Sequence, residues 1–202
     1  MNRIILFLVF LIIVAPARAE PTILIVGDSL SAGYGIDTMQ GWVSLLQHRL
    51  RKKGYRYVLI NASVSGDTSA GALARLPLTL QRTRPDIVII EIGGNDGLQG
   101  LPLAEMKNNL SRMIELGKKQ GAAVLLLGVR LPPNYGPVYT NGFHDAFTQV
   151  ARKNQILLVP RFLLGVAGNR KFMQQDGIHP LAEGQQKMLD NVWPRLEIIL
   201  KR

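Results

Sequence analysis

The sequence has no cysteine in its 202 residues. Disulfides, zinc–thiolate sites and thiol nucleophiles are therefore excluded. Histidine is scarce as well, so imidazole chemistry has only His48, His144 and His179 to draw on. Aromatic residues make up 6% of the chain, and they do not interleave with the basic residues. No long Lys/Arg block is present, which argues against nucleic-acid binding. No G-x-G-x-x-G or P-loop pattern follows the first strand, which argues against a nucleotide site. Repeats, low-complexity tracts and linkers are also missing, and 202 residues suit one domain with a sizeable core.

The one long apolar run, Ile4 to Val14, is too short for a comfortable membrane span. It follows the positive Met1-Asn2-Arg3 and precedes Ala17-Arg18-Ala19, a small-x-small cleavage site. Residues 1–19 thus read as a signal peptide with a mature start at Glu20, and the alternative is an uncleaved anchor. The expectation is an exported protein, periplasmic or secreted, without a stable membrane anchor after cleavage. The whole chain carries a formal charge of +10. Loss of Arg3 and Arg18 leaves 22 basic against 14 acidic residues, or +8. Such a balance suits anionic partners, but the bases are scattered and mostly close predicted helices, where cations suit the dipole.

Apolar runs alternate with helical periodicity. Strands are expected at 22–27, 55–61, 86–92, 122–128 and 156–159. Helices are expected at about 41–53, 69–83, 103–120, 138–153 and 181–200, with Pro77 as a possible kink in the second. Alternation of this kind predicts an α/β fold, a three-layer α/β/α sandwich around a five-stranded parallel sheet.

Polar, glycine-bearing turns follow the first three strands, and another precedes the last helix. The first is Gly27-Asp28-Ser29-Leu30, where Ser29 is either a helix cap or a nucleophile. A serine nucleophile needs a base. His48 and His144 fall inside amphipathic helices, whereas His179 sits in the turn Asp176-Gly177-Ile178-His179-Pro180. There, Asp176 lies three residues before it and can fold back onto the imidazole. The alternative for His179 is a plain helix-start position before an N1 proline. For an oxyanion, the candidate donors are the Ser29 backbone N–H, Gly66 and the Asn95 side chain. Asp28, Asp67 and Asp96 read as turn hydrogen-bonders that set loop shape.

Together, Gly27-Asp28-Ser29-Leu30, Gly66, Gly93-Gly94-Asn95-Asp96 and Asp176-Gly177-Ile178-His179-Pro180 resemble the four blocks of the GDSL esterases, or SGNH hydrolases, across the whole mature chain. The run Asn61 to Gly71 and the loop Arg130 to Gly136 narrow the resemblance to the periplasmic thioesterase, lysophospholipase and arylesterase subgroup. The resemblance implies the flavodoxin-like SGNH hydrolase fold. It implies a triad of Ser29, Asp176 and His179, with Ser29, Gly66 and Asn95 forming the oxyanion hole. It also implies a mobile loop over the acyl chain, carrying Gly97, Leu98, Leu101 and Pro102. Leu131, Pro132, Asn134 and Tyr135 are the other expected substrate contacts. The absence of G-x-S-x-G argues against the α/β-hydrolase fold.

The function expected is serine-dependent hydrolysis of esters and thioesters of medium-to-long acyl chains, with no metal or cofactor. The substrate is a small-molecule acyl ester or thioester, lysophospholipid among the candidates, and the protein is expected to be a monomer. The rivals are an O-acetyl esterase of envelope polysaccharide and a non-catalytic anion- or sugar-binding module on the same scaffold.

Overall fold

The computed structural model describes residues 20–201, so the expected signal peptide at 1–19 lies outside the described residues. In chain order the elements are β1 (Thr22–Gly27), α1 (Ser29–Ala32), α2 (Trp42–Lys52), β2 (Val58–Asn61), α3 (Ser69–Thr83), β3 (Ile87–Glu91), α4 (Gly94–Leu98), α5 (Leu103–Lys119), β4 (Ala123–Leu127), α6 (Pro137–Lys153), β5 (Leu157–Val159) and α7 (Ala182–Leu196). Single 3-10 turns occupy Thr38–Gln40 and Pro133–Tyr135.

The five strands form one parallel sheet in the order β2-β1-β3-β4-β5. The inner strands β1, β3 and β4 are apolar almost without interruption, as a sheet covered on both faces requires. One face is covered by α2 and α7, which pack on each other. The other carries α3, α5 and α6 in that order. The helices bury the faces their spacing predicts: Trp42, Leu46 and Leu50 on α2, and Met106, Leu110, Met113, Ile114 and Gly117 on α5.

The strand order reverses between β1 and β3. In an open α/β sheet that switch point leaves a crevice outside the carboxyl ends of the strands. The turn after β1 and the turn after β3 both open into it, so the fold itself places Ser29 beside Asn95.

Four details differ from the sequence expectation. First, β2 begins at Val58 rather than at 55. Its partner strand begins at Thr22, and the residue before is Pro21, which has a carbonyl but no N–H to extend the ladder. Tyr55 and Tyr57 are buried instead in the approach to the strand. Second, α7 ends at Leu196, and Ile199 N–H bonds the Leu196 carbonyl in a tighter turn. Third, α3 runs through Pro77 without a break, with the ring on its exposed side. Fourth, two short helices, α1 and α4, form inside stretches expected to be open turns.

Gly27, the last residue of β1, is required by close approach. A Cβ there would lie 2.7 Å from Ser31 Cβ and 2.8 Å from Ser63 Oγ. Gly27→Ala is expected to cost about 1–3 kcal/mol of stability through this overpacking. Urea unfolding checks it, and an unchanged midpoint would show that the turn has room to spare.

Candidate active site

Ser29 opens α1 directly after β1. Asp28 caps that helix, its Oδ1 accepting the Leu30 N–H at 3.0 Å. His179 lies 150 residues later, and its Nε2 is 2.9 Å from Ser29 Oγ. Its other ring nitrogen, Nδ1, is 2.6 Å from Asp176 Oδ2. Asp176 Oδ1 accepts the backbone N–H groups of Ile178 and His179 at 2.9 and 3.0 Å. With Nδ1–H donating to the carboxylate, Nε2 is left as the acceptor for the Ser29 hydroxyl. The partial burial of Asp176 works to raise its pKa. It is outweighed by the hydrogen bonds from the imidazole and from the two backbone N–H groups, which hold the carboxyl down at about 2.

The His179 turn is braced from the nucleophile side. The Tyr34 ring packs against the imidazole with centroids 4.5 Å apart. Gln174 ties the two loops together, its Nε2 donating to the Tyr34 carbonyl and its backbone N–H to the His179 carbonyl. His48 is exposed on α2, and His144 is half-buried on α6. Burial and the Arg130 charge push the pKa of His144 down.

Gly66 sits in the turn after β2 with φ of +82°, a left-handed conformation that favours glycine, and with open space where a side chain would be. Asn95, on α4, faces the pocket, and its Nδ2 donates to the Asp67 carbonyl at 2.9 Å. That bond uses one amide hydrogen and leaves the other for a ligand. Asp96 accepts the backbone N–H and the hydroxyl of Ser69, tying the turn after β3 to the start of α3. Asp67 is paired with Arg75 at 2.7 Å. The three aspartates therefore shape the turns that carry Ser29, Gly66 and Asn95; Ser29 and Asn95 both line the cavity, and Gly66 is not among its lining residues.

A cavity of about 470 Å³ opens at Ser29, Asn95 and His179. Its walls are chiefly apolar: Leu98 on α4, Leu131 and Pro132 after β4, Leu163 and Ala167 after β5, and Met173 and Ile178 around the His179 turn. Of the expected substrate contacts, Leu98, Leu131 and Pro132 line it. The other five do not. Gly97 is buried beneath the wall, where a Cβ would meet Phe143 at 2.6 Å and Leu131 at 2.7 Å. Leu101 and Pro102 follow α4 and turn away, with Leu101 N–H bonded to the Asp96 carbonyl. Asn134 is exposed, and Tyr135 caps α4 by donating to the Leu98 carbonyl at 3.0 Å. The 163–173 wall carries no polar motif, so sequence reasoning had only its apolar residues to notice.

Sequence reasoning also missed Glu91. It ends β3 opposite Gly27 and is 1% exposed. Its carboxyl accepts the Ser31 hydroxyl at 2.7 Å and the Asp28 backbone N–H. Ser31 Oγ in turn accepts from Trp42 Nε1 at 3.2 Å, and the Trp42 backbone N–H donates to Gln185 Oε1 on α7 at 3.0 Å. This chain joins the nucleophile turn to the helix that follows His179. Burial, together with the nearby Asp28 charge, pushes the Glu91 pKa well above the usual carboxylate range.

A family model described as the GDSL-like lipase/acylhydrolase family matches residues 25–187. Esterase TesA of Pseudomonas aeruginosa is 51% identical over 190 residues, which span 94% of each chain. Thioesterase 1/protease 1/lysophospholipase L1 of Escherichia coli K12 is 38% identical over 184 residues, 91% of this chain and 87% of that one. A crystal structure of TesA superposes with a TM-score of 0.88 at 53% identity, covering 89% of this chain and 99% of that one.

Burial also lifts the Asp28 carboxyl to about 6, against the lowering effects of the Leu30 N–H and the His179 charge. The folded value lies above the unfolded one of 3.8. The fold is therefore relatively favoured while Asp28 is protonated and loses that advantage as pH climbs from about 4 to about 6. Asp28→Asn keeps an oxygen for the Leu30 N–H and removes the buried charge. It is expected to stabilise the protein at pH 8 by on the order of 1–3 kcal/mol and to have little effect near pH 4. Thermal unfolding at the two pH values measures the difference. Equal stabilisation at both would mean that Asp28 carries no buried charge.

Proposed function

The chain belongs to the GDSL-like lipase/acylhydrolase family, and on that premise we propose which residues do its chemistry and on what. It is a serine ester hydrolase of the esterase, thioesterase and lysophospholipase kind. The observation that carries the residue assignment is the hydrogen-bonded line Asp176–His179–Ser29 opening into an apolar cavity.

Ser29 Oγ attacks the acyl carbonyl carbon as its proton passes to His179 Nε2. Asp176, ionised at any pH above about 2, holds the imidazole by Nδ1 and stabilises the imidazolium that forms. The carbonyl oxygen becomes an oxyanion. It is met by the Ser29 and Gly66 backbone N–H groups and by the free hydrogen of Asn95 Nδ2, all fixed before the reaction starts. Collapse of the tetrahedral adduct expels the alcohol, protonated by His179, or the thiol, and leaves Ser29 acylated. A water then gives its proton to His179, attacks the acyl carbon and releases the acid, and the proton returns to Ser29. This sequence calls for no metal or cofactor.

The acyl group lies along Leu98, Leu131, Met173 and Ile178. Walls of that kind favour medium-to-long acyl chains, in free esters, thioesters or lysophospholipids, over a sugar acetate. The signal-like residues 1–19 support export to the periplasm or beyond, with the exported protein acting as a monomer.

Ser29→Ala and His179→Ala are each expected to abolish ester hydrolysis while the circular dichroism spectrum is kept. Full activity in either would remove that residue from the mechanism. Asn95→Ala should lower kcat on the order of 100-fold or more, and a loss of less than a few-fold would exclude it as an oxyanion donor. Across p-nitrophenyl esters, kcat/KM should rise about two- to fourfold per methylene until the cavity is filled, since each buried methylene contributes about 0.8 kcal/mol. An optimum at acetate would instead favour the polysaccharide O-acetyl esterase.

A further inference from the structure

The parallel sheet sorts the charges of this chain. Every long helix of an α/β layer runs antiparallel to the strands, so the helices end together at the edge opposite the active site. There α2 ends in Lys52 and Lys53, α5 in Lys118 and Lys119, and α6 in Arg152 and Lys153. Arg82 and Arg84 close α3 at the same edge. All eight are exposed, and they come from both helical layers. The acids of this edge are few. Glu20 lines a recess with Arg51 and Arg56, Asp86 accepts the Thr22 N–H, and Glu197 pairs with Lys53. Asp28, Asp67, Asp96 and Asp176 lie instead in the turns of the opposite edge, Asp28 and Asp96 buried and Asp67 paired with Arg75.

Helix dipoles do not account for this. A helix C-terminus carries about half a negative charge, so four of them offset only about two of the eight positive charges. The surplus forms a pole about 25 Å from the mouth, the length of the 17-residue α5. Among the described residues this edge holds one recess, of about 480 Å³, lined by Arg51, Arg56, Tyr55 and Tyr57; both tyrosine rings are buried, so neither offers a face on which a base could stack. The edge does have two exposed apolar side chains, Val58 at the start of β2 and Ile198 beyond α7. A cationic surface contributed by four helices, with isolated apolar points, matches a plane of lipid phosphates.

We propose that this basic pole docks on an anionic phospholipid surface and holds the active-site mouth turned away from the lipid. The docked enzyme then takes its esters from the aqueous side. Docking is independent of the catalytic assignment, because it uses none of the same residues.

The test is co-sedimentation of the exported form of the protein with vesicles of phosphatidylcholine alone, or with about 30 mol% phosphatidylglycerol. At low salt the anionic vesicles should retain at least about tenfold more protein, and about 0.5 M NaCl should release it. A pole variant, Lys52→Gln/Lys119→Gln/Arg152→Gln/Lys153→Gln, should lose several-fold in binding while turning over a soluble p-nitrophenyl ester at the wild-type rate. A control variant of the same net charge, Arg112→Gln/Arg170→Gln/Lys171→Gln/Lys187→Gln, takes exposed bases from outside the pole and should bind nearly as the wild type. Equal retention by both vesicle types overturns the proposal, as does an equal loss in both variants, which would leave only net charge at work. Release of the bound protein by duplex DNA at matched phosphate concentration would overturn it in favour of a nucleic-acid partner.

Discussion

The turn out of β1 exists only because Gly27 has no Cβ and because Glu91, across the sheet, supplies a buried carboxyl for the groups that follow it. Ser31 Oγ and the Asp28 N–H both end on that carboxyl. Without it, two polar groups beside Ser29 would be buried and unpaired, a cost of about 1–3 kcal/mol each. The arrangement concentrates strain of another kind. Asp28 and Glu91 are two buried acidic groups close together; burial raises the pKa of both, and the Asp28 charge raises that of Glu91 further. Ser29 therefore stands on a hydrogen-bonded platform that encloses two buried acids, and such perturbed groups cluster at functional sites.

Rigidity extends to the other side of the reaction. Trp42 and Gln185 carry the Glu91–Ser31 network to the helix after His179, and Tyr34 and Gln174 brace the imidazole from the surface. Ser29 and His179 come from opposite ends of the chain, and a 2.9 Å contact between them needs both ends to be fixed. The turns around Asn95 are built likewise. Asp96 pins the start of α3, and the Asp67 carbonyl orients Asn95.

Much of this was legible in the residues. The strands announce themselves as β-branched apolar runs, and the helices bury the faces that 3.6-residue periodicity assigns. Ser29, Gly66, Asn95, Asp176 and His179 stood out as candidates because each stands in a polar, glycine-bearing turn at the end of a strand or the start of a helix, where a packing role is hard to supply; the structure brings Ser29, His179 and Asp176 into one hydrogen-bonded line. Glu91 was not legible. It ends a strand of five apolar-facing positions, and only its neighbours across the sheet show that its carboxyl is enclosed. The acyl walls were half legible. Leu98, Leu131 and Pro132 lie next to polar landmarks, whereas Leu163, Ala167 and Met173 look like any apolar residue in a loop.

Local pattern in the residues set the alternation of strands and helices, and hence a parallel sheet, because periodicity and turn chemistry act over a few positions. It also determined which side chains can act as nucleophile, base and donor, because few residue types can do so. The tertiary structure alone decided which of them meet. The strand order 2-1-3-4-5 makes a crevice between β1 and β3, and no local pattern records that order. It likewise decided that the basic residues scattered along the chain form one pole, since helices tens of residues apart end side by side only once the sheet has set their direction.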